Sequence, residues 1–86
     1  MTERYAKQER FTYKGKKFLI STVDLQVNHG FLIPLYYETM IFNETDSVYC
    51  KRYSTKDEAI KGHQDTLKSI KNGTLQLIDG CFEEVE

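Results

Sequence analysis

The hydrophobic and polar positions of this chain change period at Ser54. Ahead of it, residues 18–25 and 36–53 read largely as extended segments in which apolar and β-branched side chains alternate with polar ones. Beyond it, Ala59, Ile60, His63, Leu67 and Ile70 recur at the spacing of an amphipathic helix. The break predicts an α+β domain: a small antiparallel sheet of roughly three to five strands, with one amphipathic C-terminal helix packed on one face.

Phe11, Tyr13 and Phe18 flank Lys14-Gly15-Lys16, which predicts a first hairpin whose turn uses the positive φ open to glycine. The second strand is expected over residues 17–26. Leu19, Ser21, Val23 and Leu25 share one of its faces, and Phe18, Ile20, Thr22 and Asp24 the other. The second face starts apolar and ends polar, so it is expected to be covered only in part. Residues 36–42 predict a third strand, residues 43–47 a polar turn and residues 48–53 a fourth strand. Leu75, Leu77 and Ile78 predict a short fifth strand or an apolar strap. Asp79-Gly80 reads as a turn, with a fraying acidic end beyond it.

Thr55-Lys56-Asp57-Glu58 has the form of a capping box, in which the Thr55 hydroxyl accepts from the Glu58 amide and the Glu58 carboxylate reaches back. Asn72-Gly73 is a stop signal, so the helix is expected from Thr55 to about Asn72, with Ile60, His63 or Leu67 against the sheet. Gly62 inside it costs about 1 kcal/mol against Ala. Close approach of helix and sheet would account for it.

Segment 27–35 breaks the pattern. Asn28-His29-Gly30 reads as a turn and Pro34 excludes a central strand, yet Phe31, Leu32, Ile33 and Leu35 are strongly apolar. Such a loop either folds back over the sheet or presents a contact surface. The second alternative makes Phe31, Leu32, Ile33, Leu35 and Tyr36 the candidate binding residues.

Composition narrows the classes of function. All 86 residues fit one domain with a small core, and 6 Tyr and 5 Phe supply much of its apolar area. Twelve basic side chains against 13 acidic ones give a net charge of −1, which disfavours a nucleic-acid binder. Tyr49, Lys51, Arg52 and Tyr53, with Tyr13 and Lys17, are the only interleaving of rings and cations that suggests a single-strand platform. No apolar run approaches the roughly 20 residues of a membrane span. Met1-Thr2-Glu3-Arg4-Tyr5 lacks the apolar core of a signal peptide. Cytoplasmic residence is therefore expected, with Cys50 and Cys81 as free thiols.

No catalytic signature emerges. Asp24, Glu38, Cys50, His29 and His63 are competent metal ligands by type, but their spacing matches no metal motif, so neither metal nor cofactor is expected. His63 on the helix stripe reads as a half-buried residue with one nitrogen satisfied. No glycine-rich phosphate loop is present.

Ser21-Thr22-Val23-Asp24-Leu25, Asn28-His29, Tyr37-Glu38-Thr39-Met40-Ile41-Phe42, Arg52-Tyr53-Ser54-Thr55, Glu58-Ala59 and Gly62-His63 occur in that order. Together they resemble a family of small proteins of tailed bacteriophages. The resemblance covers about half of the chain and departs at residues 31–35, where members carry more glycine. It implies a phage origin and action in the cytoplasm of an infected bacterium, and it implies no activity. The shared polar residues Thr22, Asp24, His29, Glu38, Thr39, Arg52 and His63 suggest one polar cluster, either functional or holding the fold. The expectation is a non-catalytic accessory protein that binds a host protein, such as a defence or regulatory factor, or a second copy of itself. The alternatives are a ligand- or metal-binding protein with catalysis, and a weak single-stranded nucleic-acid binder.

Overall fold

The computed structural model describes residues 5–28, 30 and 32–85. Its order is β1 (Ala6–Tyr13), β2 (Lys16–Asp24), β3 (Tyr37–Phe42), β4 (Ser47–Tyr53), α1 (Lys56–Asn72), β5 (Leu75–Ile78) and β6 (Cys81–Glu84). Strands β1 to β4 form one antiparallel sheet in sequence order, and β5 and β6 form a separate hairpin. The expected α+β architecture is present, with the extra hairpin added to it.

Two-residue turns set both hairpin registers. Lys14 and Gly15 have φ of 49° and 80°, and Asp79 and Gly80 have φ of 51° and 88°. Positive φ at both central residues matches the right-handed twist of the flanking strands. The acidic end therefore does not fray as expected. Cys81–Glu84 returns as β6, because the Asp79-Gly80 turn brings Phe82 opposite Leu77.

Helix α1 begins as its sequence dictates. Thr55 is the N-cap, with both arms of the capping box formed, and Gly73 ends the helix in the left-handed region at φ 86°. The helix lies over β2, β3 and β4 and contacts β5. Ala59, His63, Thr66 and Ile70 are buried beneath it, whereas Ile60 is 40 % exposed. The seat on the sheet is thus rotated from the expected Ile60 side toward Gly62 and Thr66.

Phe18, Ile20, Ile41, Val48, Ile70, Leu75 and Phe82 form the core. Phe82 stands edge-on to Phe18 and Tyr13, each with ring centroids 5.3 Å away, while Phe11 stacks on Phe18 at 5.5 Å. A bulge shapes the β4 side. Ile41 opposes Tyr49 and Phe42 opposes Ser47, leaving Val48 as the extra residue. The bulge turns Val48 and Tyr49 together onto the core. The Phe18, Ile20, Thr22, Asp24 face of β2 is buried as far as Thr22 and half-buried at Asp24, so its cover is partial as the sequence suggests and extends over the polar Thr22. Thr22 tolerates this burial because hydrogen bonds satisfy its hydroxyl.

Candidate functional site

A chain of polar side chains runs between helix and sheet. His63, entirely buried, places Nε2 3.0 Å from Glu9 Oε1 on β1 and Nδ1 2.7 Å from Thr22 Oγ1 on β2. Thr22 Oγ1 in turn lies 2.5 Å from Thr39 Oγ1 on β3. The register explains the convergence, since Thr22 pairs with Thr39 across β2 and β3 and Lys7 with Thr22 across β1 and β2. An ionised carboxylate only accepts, so in the neutral imidazole Nε2–H donates to Glu9 and Nδ1 accepts from the Thr22 hydroxyl. Thr22 then accepts from Thr39. The hydrogen bond from His63 holds the Glu9 carboxyl below its ordinary range, against the opposing pull of desolvation, and Lys7 at 3.4 Å adds to the effect.

The order carboxylate, imidazole, hydroxyl is that of an activated nucleophile. Here the hydroxyl is enclosed: Thr22 and Thr39 are both 0 % exposed, so no substrate reaches Thr22 Oγ1 in this conformation. The arrangement satisfies buried polar groups and ties β1, β2, β3 and α1 together.

Farther along the helix, Thr66 Oγ1 donates to the Gly62 carbonyl at 2.7 Å. The Tyr53 ring packs against Gly62, where a Cβ would overlap the phenol. The Tyr53 hydroxyl is buried without a well-formed hydrogen bond. Burial raises its pKa, while the neighbouring Thr39 and Thr66 hydroxyls partly oppose that rise. Burial likewise raises the pKa of Tyr49, which stands near Thr66 and Glu84.

The expected polar cluster is divided by the sheet. Glu38 neighbours Thr39 in β3 and so lies on the opposite face, where its Oε2 accepts from Arg52 Nε at 2.8 Å and from Cys50 Sγ at 3.4 Å. Desolvation, and then the Glu38 carboxylate, raise the Cys50 thiol pKa. Asp24 belongs to neither group. Its Oδ1 accepts from the Gln26 amide at 2.7 Å and shapes the end of β2. His29 and Phe31 lie outside the described residues. Among the described residues no cluster of three or more His, Cys, Asp or Glu is placed to hold a metal. His63 stands on one face of the sheet and Glu38 with Cys50 on the other.

The pattern of rings and cations is also divided. Tyr49, Lys51 and Tyr53 face the helix side, with Tyr53 buried, and Arg52 faces away. They do not make a common stacking platform.

The apolar segment stands open. Leu32 is 88 %, Ile33 64 % and Tyr36 40 % exposed, and Val27 nearby is 58 % exposed. The segment is nevertheless tied. Asn28 Oδ1 accepts from the Gly30 amide at 2.7 Å and the Leu35 amide at 2.9 Å, and Leu25 N–H donates to the Tyr36 carbonyl at 2.8 Å. Ile33 and Leu35 border a cleft of about 640 Å³ between α1 and β4. Tyr49, Lys51 and Tyr53 line its strand side, and Lys61, Gly62, Asp65, Thr66 and Ser69 its helix side.

Glu9 and the cleft are the features that sequence patterning does not signal. Glu9 sits in a polar strand whose register alone brings it under the helix. Among the described residues no helix is long and apolar enough to cross a membrane. No family model, curated protein or solved structure matches this chain.

Proposed function

We propose that this chain is a non-catalytic binding protein, a small phage accessory protein that engages a host protein in the bacterial cytoplasm. The observation that carries the binding reading is the 32–36 segment. Two large aliphatic side chains and a tyrosine are held in water by a loop whose backbone is tied at Asn28. Exposed apolar side chains grouped in this way favour contact with another protein. Enclosure of the Thr22 hydroxyl, and the placing of Glu38 and Cys50 on the face of the sheet opposite His63, also favour binding over chemistry. The phage setting rests on the sequence resemblance, and with it a host defence or regulatory factor as the class of partner.

The test is affinity capture from bacterial lysate, with nuclease added, using the protein and its Leu32→Ser/Ile33→Ser variant. A host protein retained after nuclease and lost with the variant, at unchanged melting temperature, is the expected result. Retention that depends on nucleic acid, or that ignores the variant, overturns the reading.

A further inference from the structure

The covering elements all lie on one side of the main sheet. Helix α1 and the β5–β6 hairpin pack on the face that carries Phe18, Ile20, Thr22 and Ile41, and among the described residues no element covers the other face. An antiparallel sheet with one solvated face ordinarily alternates apolar inward with polar outward. The central strands here depart from that rule. β2 turns Leu19, Ser21 and Val23 to the open face and β3 turns Met40 and Phe42 there, with Leu19, Val23, Met40 and Phe42 half-buried. The outer strands are polar on this face, with Gln8 and Arg10 on β1 and Cys50 and Arg52 on β4. An apolar centre inside a polar, arginine-bearing rim is the anatomy of a protein interface.

The register makes this face complementary to itself. Leu19 pairs with Phe42 and Ser21 with Met40 across β2 and β3. A twofold axis running along the strands between β2 and β3 therefore lays Leu19 on Phe42 of a second copy and Ser21 on its Met40. In each case a smaller side chain meets a larger one, and the contact is isologous. The two sheets then meet as the layers of an aligned sandwich.

Charge obeys the same axis. At the end of the face that holds Leu19 and Phe42, Arg10 and Lys17 stand on the β1–β2 side and Glu44 on the β3–β4 side. The axis exchanges the sides, so the cations of one copy meet the carboxylate of the other. Among the described residues none of these three enters an ion pair within the chain. Polar groups nearer the centre are already paired. Arg52 Nε donates to Glu38 at 2.8 Å, and Gln8 Nε2 donates to the Ser21 hydroxyl at 3.3 Å. A second copy laid over them leaves no unpaired charge at the centre. Four strands about 4.8 Å apart and roughly seven residues long present about 450 Å² per copy, or about 900 Å² for the pair, the scale of a weak, reversible dimer.

We propose that this chain forms a twofold dimer through the open face of β1–β4, with Leu19, Met40 and Phe42 at its centre and Lys17 set against Glu44 of the second copy. The dimer goes beyond the protein-binding reading and uses a different surface, since Ile33 and Leu35 border the cleft on the helix side.

Sedimentation equilibrium of the intact chain from about 1 μM to about 500 μM is expected to show a monomer–dimer equilibrium in the micromolar range. Met40→Lys should raise the dissociation constant about tenfold or more at near-native melting temperature. Lys17→Glu and Glu44→Lys, both at exposed positions, should each raise it about fivefold. An equimolar mixture of those two variants should recover association, because each new charge then faces its opposite. Lys68→Glu, on the outer side of α1, should change nothing. Alkylation of the exposed Cys50 on the open face should slow as protein concentration rises, while that of the exposed Cys81 on β6 does not. A monomer throughout the range, a dimer indifferent to Met40→Lys and to the rim charges, or protection of Cys81 in place of Cys50 overturns the proposal. So does a dimer abolished by Leu32→Ser/Ile33→Ser, because self-association then belongs to the loop. If Met40→Lys does not fold, the two charge variants and their mixture decide. If the chain is monomeric while host-protein capture still depends on Leu32 and Ile33, the dimer proposal fails alone and the binding reading stands.

Discussion

The phenol of Tyr53 occupies the space that a side chain at position 62 would need. Gly62 is buried within α1, and its lack of a Cβ lets the helix settle onto β4. Alanine for glycine inside a helix ordinarily gains about 1 kcal/mol. Here the sign reverses: Gly62→Ala should lower stability by about 1–3 kcal/mol, the usual cost of overpacking. Urea unfolding measures it. In a Tyr53→Val background the overlap is gone and the same change should stabilise. Equal effects in both backgrounds would rule out the Tyr53 contact as the reason for glycine.

The bonds joining Thr22, Thr39 and His63 make a coupled set. Thr22→Val removes the donor to His63 Nδ1 and the acceptor for Thr39, and should cost about 1–3 kcal/mol. Thr39→Val alone should cost less, because Thr22 can still donate to His63. In the double variant the two losses should fall short of their sum, with a coupling of about 0.5 kcal/mol or more by denaturant titration. Simple additivity would mean that the hydroxyls act independently.

Sequence periodicity shows why these two arrangements differ in legibility. The helix ends are local chemistry: Thr55 with Glu58, and Asn72 with Gly73, carry their own signals, and the structure places both where the pattern does. Gly62 likewise signals close approach, although not the ring that approaches. The polar chain depends on register across three strands, which alternation leaves open by any even shift. His63 therefore reads as a stripe residue with one satisfied nitrogen, whereas both nitrogens are bonded. The single cluster expected of Asp24, Glu38, Arg52 and His63 is divided because adjacent strand residues point to opposite faces, a consequence fixed only when Thr39 is known to meet Thr22. β6 is missed: Asp79-Gly80 reads as a turn before a fraying acidic end, because a four-residue strand is too short for periodicity to declare.

Glu9 gives stability a defined acid dependence. Its carboxyl pKa is depressed in the folded protein, chiefly by the hydrogen bond from His63. A depressed carboxyl contributes stability that is present above its unfolded pKa. That contribution is lost as pH falls below about 4.5 and through the lower folded value. The effect is small, because the Glu9 side chain is 39 % exposed and solvent screens it. Melting temperature followed from pH 6 to about pH 3 should fall less steeply for Glu9→Gln than for the native chain. Parallel curves would mean that the His63 contact does not persist in solution.

Phe82 is the strongest test of whether the last hairpin belongs to the core. It is 4 % exposed and meets Phe11, Phe18 and Tyr13, so β6 closes the end of the sheet that α1 does not reach. Removing a buried ring takes away its transfer energy and leaves a cavity, typically about 3–5 kcal/mol. A domain of this size holds only about 5–10 kcal/mol in total. Phe82→Ala should therefore bring the chain to the edge of unfolding, with near-ultraviolet circular dichroism largely lost at 37 °C, whereas Phe82→Leu should retain a cooperative transition at reduced midpoint. Glu83→Ala, on the exposed side of the same strand, should change the midpoint little. If Phe82→Ala melts like the native chain, the hairpin is an appendage and the aromatic cluster contributes nothing to the fold.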